Sequence, residues 1–294
     1  MKILLTGRNG QVGSELARAL APLGEVIAYD RTGLDLAVPD RIVAAMRLVK
    51  PDVVVNAAAY TAVDRAESER DAAHAVNAAA VAVLAEEARR AGALLVHYST
   101  DYVFDGTKDA PYVEEDSTNP LNEYGRSKLA GENAIRSVGG PHLILRTGWV
   151  YAPRGKNFLL TILRLLHERN ELRVVSDQIG TPTSASMLAD LTVELLRSHD
   201  KTSLGEASGI YHVAPSGFTS WHGFATEIAR LERLDTVRIV PIASSEYPSA
   251  ARRPLNSRLS TDKVSERFRV ALPNWQACLE SCYATLRSAG IESR

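Results

Sequence analysis

The sequence predicts an α/β fold: a doubly wound, mostly parallel sheet with a smaller C-terminal lobe. Short apolar runs alternate with longer segments of helical composition through the first half of the chain, a rhythm typical of parallel strands joined by crossover helices. The first run, residues 2–6, passes directly into a glycine-rich loop and then into a helical pattern over residues 14–20. Strand, glycine loop and helix in that order are typical of a Rossmann-type unit.

Length and composition restrict the class of protein. The chain has 294 residues, of which 45% are hydrophobic, and can therefore bury a substantial core. Its 34 Lys and Arg residues against 35 Asp and Glu residues give a formal net charge of -1. No overall field recruits nucleic acid or an anionic membrane, and we expect neither as a partner.

No targeting or metal-binding pattern stands out. The N-terminal apolar run is shorter than the roughly 7 to 15 residue core of a secretory signal, and no segment reaches the roughly 18 apolar residues of a membrane span. A cytoplasmic protein is expected. Two cysteines, Cys278 and Cys282, form neither a disulfide framework nor a four-ligand zinc site. The histidines show no ligand spacing, and no metal is predicted.

The loop after the first strand carries Gly7, Gly10 and Gly13. Glycines permit a tight turn and let backbone amides approach a pyrophosphate at the helix N-terminus. The spacing is G-x-x-G-x-x-G, which differs from the common G-x-G-x-x-G, but the physical requirement is shared. The alternative is an ordinary strand-to-helix turn. The order of the surrounding elements favours a dinucleotide-binding loop.

The second predicted strand, residues 25–30, ends at Asp30, 23 positions after Gly7 (30 minus 7). A carboxylate there would receive the adenosine ribose 2'-hydroxyl of NAD and repel the 2'-phosphate of NADP. The adjacent Arg31 could accommodate that phosphate. The cofactor is therefore expected to be NADPH or NADH.

Further strands are predicted over residues 52–59, 93–104 and 142–151, with helices over 70–91 and 124–136. A Val-Val-Val run marks the first of these strands, and the alanine-rich helix stops before Gly92. Ligands bind such sheets beyond the carboxyl ends of the strands. The residues expected at these ends are Gly7, Asp30, Ala59, Thr100 and Trp149.

After residue 151 the pattern changes. Helices are predicted over 157–169, 184–197 and 219–234, and strands over 172–177, 209–214 and 238–242, the last pairing near 209–214. Residues 177–183 are predicted to form a loop. We divide the chain into a dinucleotide-binding Rossmann domain, 1–151, and a mainly substrate-binding lobe, 152–294, some of whose segments return to the main sheet.

Tyr124 and Lys128 lie four residues apart at the start of a predicted helix, so their side chains project from one face about 5 to 6 Å apart. A cation at that distance favours the phenolate, and the tyrosine pKa of about 10 could fall toward neutrality. That chemistry suits a carbonyl reductase, with the Thr100 hydroxyl orienting the substrate oxygen. The alternative is a solvated side-chain pair. The glycine loop favours the catalytic interpretation.

Arg252 and Arg253 form a second chemically suggestive loop. Two adjacent guanidinium groups could clamp a diphosphate, because an arginine fork matches phosphate oxygens. From spacing alone, a solvated basic turn is the favoured interpretation.

Six motifs resemble the extended short-chain dehydrogenase/reductase superfamily and, within it, the dTDP-4-dehydrorhamnose reductase family. They are spread over nearly the whole chain. The motifs are TGRNGQVG at 6–13, NAAAYTAVD at 56–64, YSTDYVF at 98–104, PLNEYG at 120–125, DQIGTPT at 177–183 and ARRP at 251–254.

The resemblance implies NADPH- or NADH-dependent reduction of the 4-keto group of a dTDP-sugar, dTDP-4-dehydro-6-deoxy-L-mannose, to dTDP-L-rhamnose. It implies Tyr124 as the general acid, Lys128 on the nicotinamide ribose and Thr100 on the carbonyl oxygen. The implied cofactor-binding residues are Gly7, Asn9, Gly10, Gln11, Val12, Gly13, Asp30, Asp35, Leu36, Ala59, Tyr60, Thr61, Tyr124 and Lys128. The implied substrate contacts are Thr100, Asp101, Tyr124, Trp149, Arg252 and Arg253, which makes the arginine loop functional.

Two other functions stay open. A nucleotide-sugar epimerase or dehydratase would use the same tyrosine and lysine, although Tyr102 follows Asp101 where a dehydratase would carry a second acid. A non-catalytic, NADP-binding regulatory subunit is the other alternative. Arg8 departs from the family pattern and further blurs the choice between NAD and NADP. A monomer or homodimer is expected; some relatives dimerise through magnesium held by glutamates, and Glu15 lies in a comparable place.

Overall fold

The computed structural model describes residues 1–234, 236–288 and 290. The strands are β1 (Lys2–Thr6), β2 (Glu25–Tyr29), β3 (Val53–Asn56), β4 (Leu94–Thr100), β5 (His142–Thr147), β6 (Val150–Tyr151), β7 (Glu171–Val175), β8 (Ile179–Gly180), β9 (Thr183–Ser184), β10 (Gly209–His212), β11 (Thr219–Ser220) and β12 (Arg238–Ile242). The helices are α1 (Gln11–Ala19), α2 (Pro39–Val49), α3 (Val63–Ala66), α4 (Arg70–His74), α5 (Ala80–Ala91), α6 (Glu123–Val138), α7 (Phe158–Glu168), α8 (Ala185–Ser198), α9 (Lys201–Glu206), α10 (Trp221–Glu232), α11 (Asp262–Phe268) and α12 (Trp275–Ser288).

The main sheet confirms the predicted fold class. Within the described residues it contains six parallel strands in the order β10, β5, β4, β3, β1, β2. The chain moves outward from β1 to β2, then crosses back to β3, β4 and β5. The winding direction therefore reverses between β1 and β3, which is where ligands bind in open sheets of this kind.

Helices cover both faces of this sheet. Successive residues of a strand point to opposite faces, and the fully buried Leu4 and Leu5 of β1 belong to two different apolar clusters. Leu5 packs with side chains of α1 and α8. Leu4 packs with side chains of α2, α5 and α6. Burial on both sides accounts for the continuous apolar runs that predicted these strands.

The predicted pairing of residues 238–242 near residues 209–214 is wrong. β12 pairs in parallel with β7, and β10 instead joins the edge of the main sheet beside β5. A parallel pair needs a crossover connection, and α10 packs against both β7 and β12. Phe224 and Ile228 of α10 share a buried cluster with Leu172 and Val174 of β7. Burial of the apolar face of α10 on β7 therefore brings β12, which follows α10, beside β7.

Several predicted boundaries also differ. The strand expected over 52–59 ends at Asn56, and the strand expected over 142–151 ends at Thr147 and resumes as β6. The helix expected over 70–91 contains a π-helical turn, Ala75–Ala79, and α2 had no counterpart in the sequence prediction. The loop expected over 177–183 contains β8 and the start of β9.

None of the helices described by the structure has the length and apolar composition needed to span a membrane.

Candidate active site

The residues predicted at the ends of the strands do meet along one edge of the sheet. Thr6 is opposite both Tyr29 and Asn56, and Thr100 is opposite Thr147. The loops that follow β1, β2, β3, β4 and β5 therefore leave the sheet side by side. The candidate groups lie on and between these loops, and we call this edge of the sheet the cleft.

The glycine loop fits a pyrophosphate. Gly7 has a φ of +77°, and a Cβ there would lie 2.8 Å from the Ala58 nitrogen. A Cβ on Gly13 would lie 2.0 Å from the Gly7 carbonyl oxygen, so α1 packs closely against the loop only without a side chain. Gly10 is the N-cap of α1 and provides no side-chain cap. The amides of the first turn are thus available to an anion.

Asp30 is held in the turn after β2. Its Oδ1 accepts from the Thr32 amide at 3.0 Å, the Thr32 hydroxyl at 2.6 Å and the Gly33 amide at 3.0 Å, and its Oδ2 accepts from Asn9 Nδ2 at 2.9 Å. These hydrogen bonds, the Thr32 hydroxyl first, lower the pKa of Asp30. A carboxylate fixed beside Asn9 suits a ribose hydroxyl.

Two neighbouring residues carried over from the family have different surroundings. Leu36 is buried in the apolar cluster beneath the sheet, so its side chain supports the turn from below. Asp35 is partly exposed, and its Oδ1 accepts from the Ala37 amide at 3.0 Å.

Asn77 fixes the segment that contains Ala59, Tyr60 and Thr61. Its Oδ1 accepts from the Tyr60 amide at 2.9 Å, and its Nδ2 donates to the Tyr60 carbonyl at 3.0 Å and to Ser127 Oγ at 2.9 Å. Sequence reasoning missed this buried residue. A polar side chain in an alanine-rich helix was the available signal.

Helix α6 starts at the cleft. Asn122 caps it by accepting from the Gly125 amide at 2.8 Å, and a Cβ on Gly125 would lie 2.2 Å from the Tyr102 carbonyl oxygen. The glycine therefore allows the first turn of α6 to approach the residues that follow Thr100, which places Tyr124 over the end of β4.

The expected fall in the pKa of Tyr124 is not found. Burial raises it to about 12, and a hydrogen bond with the Thr100 hydroxyl only partly opposes that rise. The prediction from the four-residue spacing to Lys128 was wrong because it omitted the depth of the phenol below the surface. Removal from water disfavours the phenolate more than its neighbours favour it.

Lys128 is 2% exposed. Its Nζ donates to the Tyr98 carbonyl at 2.6 Å and lies 3.2 Å from His97 Nε2. Burial lowers the pKa of Lys128 to about 8, against an opposing effect of Glu132. The amine can therefore gain and lose a proton near neutral pH.

Thr100 and Asp101 continue this polar group. Thr100 Oγ1 donates to Asp101 Oδ1 at 3.0 Å and accepts from the Tyr102 amide at 3.2 Å. Asp101 is buried, which raises its pKa to about 7. Its Oδ2 has no hydrogen-bond partner among the described residues. A Cβ on Gly148 would lie 2.4 Å from this oxygen, so only glycine fits beside it.

Trp149 has a left-handed backbone, with a φ of +51°, which is unfavourable for a bulky residue. Its indole stacks on that of Trp221, with ring centroids 3.5 Å apart and planes 2° apart. Its Nε1 donates to Ser257 Oγ at 3.1 Å. A Cβ on Gly180 would lie 2.5 Å from the Trp149 ring. The sequence prediction named Trp149 as a substrate contact and did not name Trp221 or Ser257, which hold its indole.

The two arginines of the C-terminal loop differ. Arg253 is partly buried and pairs with Asp64, and Arg252 is exposed. The loop is tied to the start of α6, because Asn122 Nδ2 donates to the Arg252 carbonyl at 2.8 Å. The arginine loop therefore lies beside the helix that carries Tyr124.

The arrangement can perform one kind of chemistry well. A protonated phenol, the Thr100 hydroxyl and a lysine amine occupy one cleft, next to the glycine loop. Such a set can bind a carbonyl oxygen and protonate it as negative charge develops there.

Comparisons with known proteins agree in family and fold. Residues 1–288 match the family described as RmlD substrate binding domain. The chain is 52% identical to the dTDP-4-dehydrorhamnose reductase of Burkholderia thailandensis, covering 98% of this chain and 100% of the relative. It is 46% identical to that of Escherichia coli K12, covering 94% and 95%. The solved dTDP-4-dehydrorhamnose reductase of Bacillus anthracis, in complex with NADP, has a TM-score of 0.91 at 34% identity, covering 97% of this chain and 100% of that one.

Proposed function

The chain belongs to the RmlD substrate binding domain family, and from this premise we propose that Thr100, Tyr124 and Lys128 are its catalytic residues. It is an NAD(P)-dependent oxidoreductase that reduces the 4-keto group of dTDP-4-dehydro-6-deoxy-L-mannose to give dTDP-L-rhamnose. The observation that supports the catalytic assignment is the close approach of the first turns of α6 to the end of β4: a Cβ on Gly125 would lie 2.2 Å from the Tyr102 carbonyl oxygen, and Lys128 Nζ donates to the Tyr98 carbonyl at 2.6 Å.

The bound coenzyme supplies the hydride. Tyr124 keeps its proton at neutral pH because burial raises its pKa to about 12, and it donates that proton to the ketone oxygen as the alkoxide develops. Thr100 hydrogen-bonds the same oxygen. Lys128 holds the nicotinamide ribose. Below its pKa of about 8 the side chain is an ammonium, which returns a proton to the phenolate and becomes the neutral amine.

Either NADPH or NADH fits the cofactor cleft. Gly7, Gly10 and Gly13, with Gln11 and Val12 between them, hold the pyrophosphate. Asn9, Asp30 and Asp35 surround the adenosine, Leu36 supports their turn from below, and Ala59, Tyr60 and Thr61 line the middle of the cleft. Asp30 favours a free ribose hydroxyl, whereas the exposed Arg8 and Arg31 can pair with a 2'-phosphate.

Residues 1–151 form the dinucleotide-binding part, and residues 152–294 mainly the substrate lobe. Trp149 and Asp101 contact the sugar, and Arg252 and Arg253 receive the diphosphate. A single chain carries every group named here, so monomer and homodimer are both compatible with activity. We assign the reaction to the cytoplasm.

A coupled assay tests this function. The 4-keto sugar is made in situ from dTDP-glucose with the two enzymes that precede the reduction, and oxidation of NADH and of NADPH is followed in parallel. One coenzyme should be consumed per sugar reduced, and the product should be identified as dTDP-L-rhamnose. Sugar conversion with no net change in absorbance would indicate an epimerase. Dinucleotide binding without turnover would indicate a regulatory subunit.

A further inference from the structure

A row of buried polar side chains crosses the main sheet and ends at Lys128. The Thr6 hydroxyl donates to Asn56 Oδ1 at 2.6 Å, and Asn56 Nδ2 lies 3.0 Å from His97 Nδ1. His97 Nε2 lies 3.2 Å from Lys128 Nζ. Each of the four residues is at most 2% exposed. The reaction described above uses only the last of them.

The hydrogen bonds along this row select the tautomer of His97. Asn56 Oδ1 accepts from the Thr6 hydroxyl and, at 3.3 Å, from the Ala58 amide. The amide nitrogen of Asn56 therefore faces His97 and donates to Nδ1. A neutral imidazole that accepts at Nδ1 carries its proton on Nε2. That N–H is directed at Lys128 Nζ, where it can donate to an uncharged amine but opposes an ammonium.

We propose that His97 is a positioning residue, which holds the Lys128 amine in the cleft and disfavours its charged form so that it can exchange a proton beside Tyr124. The proposal rests on the proposed function, because it concerns the lysine of that site. His97 itself stays neutral, since burial and then the neighbouring Lys128 hold its pKa well below the usual value.

The other groups near Lys128 do not replace this role. Glu132, one turn along α6, favours the ammonium, but its carboxylate is paired with Arg146 of β5 at 2.6 and 2.9 Å. Tyr124, one turn before Lys128, is a protonated phenol. The Tyr98 carbonyl accepts from Nζ at 2.6 Å, which orients the amine in either charge state. Among these groups, the Nε2–H of His97 is the one that disfavours the ammonium.

Two substitutions distinguish the roles of the two ring nitrogens of His97. His97→Asn keeps a polar group near the place of Nδ1, within reach of Asn56, but has none near Nε2. His97→Gln places a polar group near Nε2, where its carbonyl can accept from Lys128. The profile of kcat/KM against pH is measured for NADPH-dependent reduction of the keto-sugar by the wild type and both variants. The melting temperature of each protein is also measured.

The alkaline limb of the wild-type profile, near the Lys128 pKa of about 8, should move upward by about half a unit or more in both variants, because the opposing N–H is gone. At pH values below this limb, the plateau value of kcat/KM should fall by about tenfold or more in His97→Asn and by roughly threefold or less in His97→Gln. Only glutamine still holds the Lys128 amine in place.

Profiles of unchanged shape, reduced in proportion to lost thermal stability, would show that His97 is only a core residue and would overturn the proposal. NADPH binding, followed by coenzyme fluorescence across the same pH range, gives a readout without turnover. Its alkaline limb should shift in both variants as well. If the wild type binds NADPH but does not reduce the keto-sugar, the proposed function fails, and the binding profile still decides the role of His97.

Discussion

Arg253 forms a two-point ion pair with Asp64, with Nη2–Oδ2 at 2.7 Å and Nη1–Oδ1 at 3.1 Å. Asp64 also accepts from the Ala251 amide at 3.1 Å. Asp64 lies three residues after Thr61, the last residue of the segment proposed to line the coenzyme cleft. Arg253 belongs to the loop proposed to bind the substrate diphosphate. One carboxylate therefore joins the two sides of the cleft.

Replacing Asp64 by asparagine should weaken substrate binding. Asp64→Asn removes the charge that holds the Arg253 guanidinium in place, so the sugar nucleotide must order it on binding. The pair is partly exposed, and such pairs contribute about 0.2 to 1 kcal/mol to stability. We expect KM for the sugar nucleotide to rise by about two- to fivefold, with KM for NADPH unchanged. Steady-state kinetics with each substrate varied measures this.

Glu246→Gln is the matched control. It weakens the ion pair of Arg173 with Glu246, which has the same 2.7 Å distance and a carboxylate that is 48% exposed, as is that of Asp64, in the lobe that contains Arg253. Its KM values should equal those of the wild type. If Asp64→Asn behaves in the same way, the ion pair does not position Arg253 for the substrate.

Tyr124→Phe should abolish most turnover. Loss of the phenolic proton should lower kcat by about 100- to 10,000-fold, the range expected for a proton-transfer group. NADPH affinity, measured by fluorescence titration, should stay nearly constant, because the ring still occupies its place. Tyr283→Phe is the control. The Tyr283 phenol on α12 donates to Glu232 on α10 at 2.6 Å, and the variant should keep full activity. A Tyr124→Phe enzyme with unchanged kcat would refute the assignment.

The features that sequence predicted are those encoded by nearby residues. The glycine loop, the four-residue spacing of Tyr124 and Lys128, and the apolar runs of the buried strands are all local patterns. The sheet follows from them because parallel strands need crossover helices. The fold class therefore follows from the sequence alone.

The features that sequence missed depend on contacts between distant residues or on depth. Asn77 clamps Tyr60 across 17 positions, and Arg253 reaches Asp64 across 189. No periodicity records such pairs. The pKa of Tyr124 was predicted with the wrong sign because a helical spacing gives the distance to a cation but not the burial of the phenol. Desolvation is a property of the whole fold.

The Trp149–Trp221 stack should control substrate affinity. Trp221→Leu removes a stack worth about 0.5 to 1.5 kcal/mol beyond its buried area and releases the strained backbone at Trp149. We expect KM for the sugar nucleotide to rise by about tenfold with a smaller change in kcat, and the tryptophan fluorescence to change. Trp275→Phe is the control, since Trp275 packs edge-on against Phe224 instead. A KM that rises equally in both variants would point to general loosening of the lobe.

Gly13→Ala should disrupt the coenzyme loop. The added Cβ would lie 2.0 Å from the Gly7 carbonyl oxygen, and overpacking of this kind costs about 1 to 3 kcal/mol. NADPH affinity should fall by about tenfold or more, together with the melting temperature. Gly205→Ala, where the nearest atoms are 3.7 Å away on Pro141, should leave NADPH affinity unchanged. Equal affinities in the two variants would show that the loop does not carry the pyrophosphate.

Asp101 should make the protein less stable as pH rises. Burial raises its pKa to about 7, whereas an unfolded aspartate titrates near 3.9. Between these values the folded state binds the proton and the unfolded state does not, so the free energy of unfolding falls as pH rises and levels off above about pH 7. At about 1.36 kcal/mol per unit, the full effect is at most about 4 kcal/mol.

Asp101→Asn cannot ionise and should escape this loss. Chemical denaturation of both proteins should show a stability difference that moves in favour of the variant between about pH 4 and pH 7 and is constant above. Asp105→Asn is the opposite case: hydrogen bonds from Thr107 lower the pKa of Asp105 to about 2, so its carboxylate is charged throughout and its stability difference should be flat over the same range. If the two differences run parallel, the Asp101 side chain ionises in the folded protein as freely as in water, and it cannot serve as a neutral hydrogen-bonding partner for Thr100 and the sugar at neutral pH.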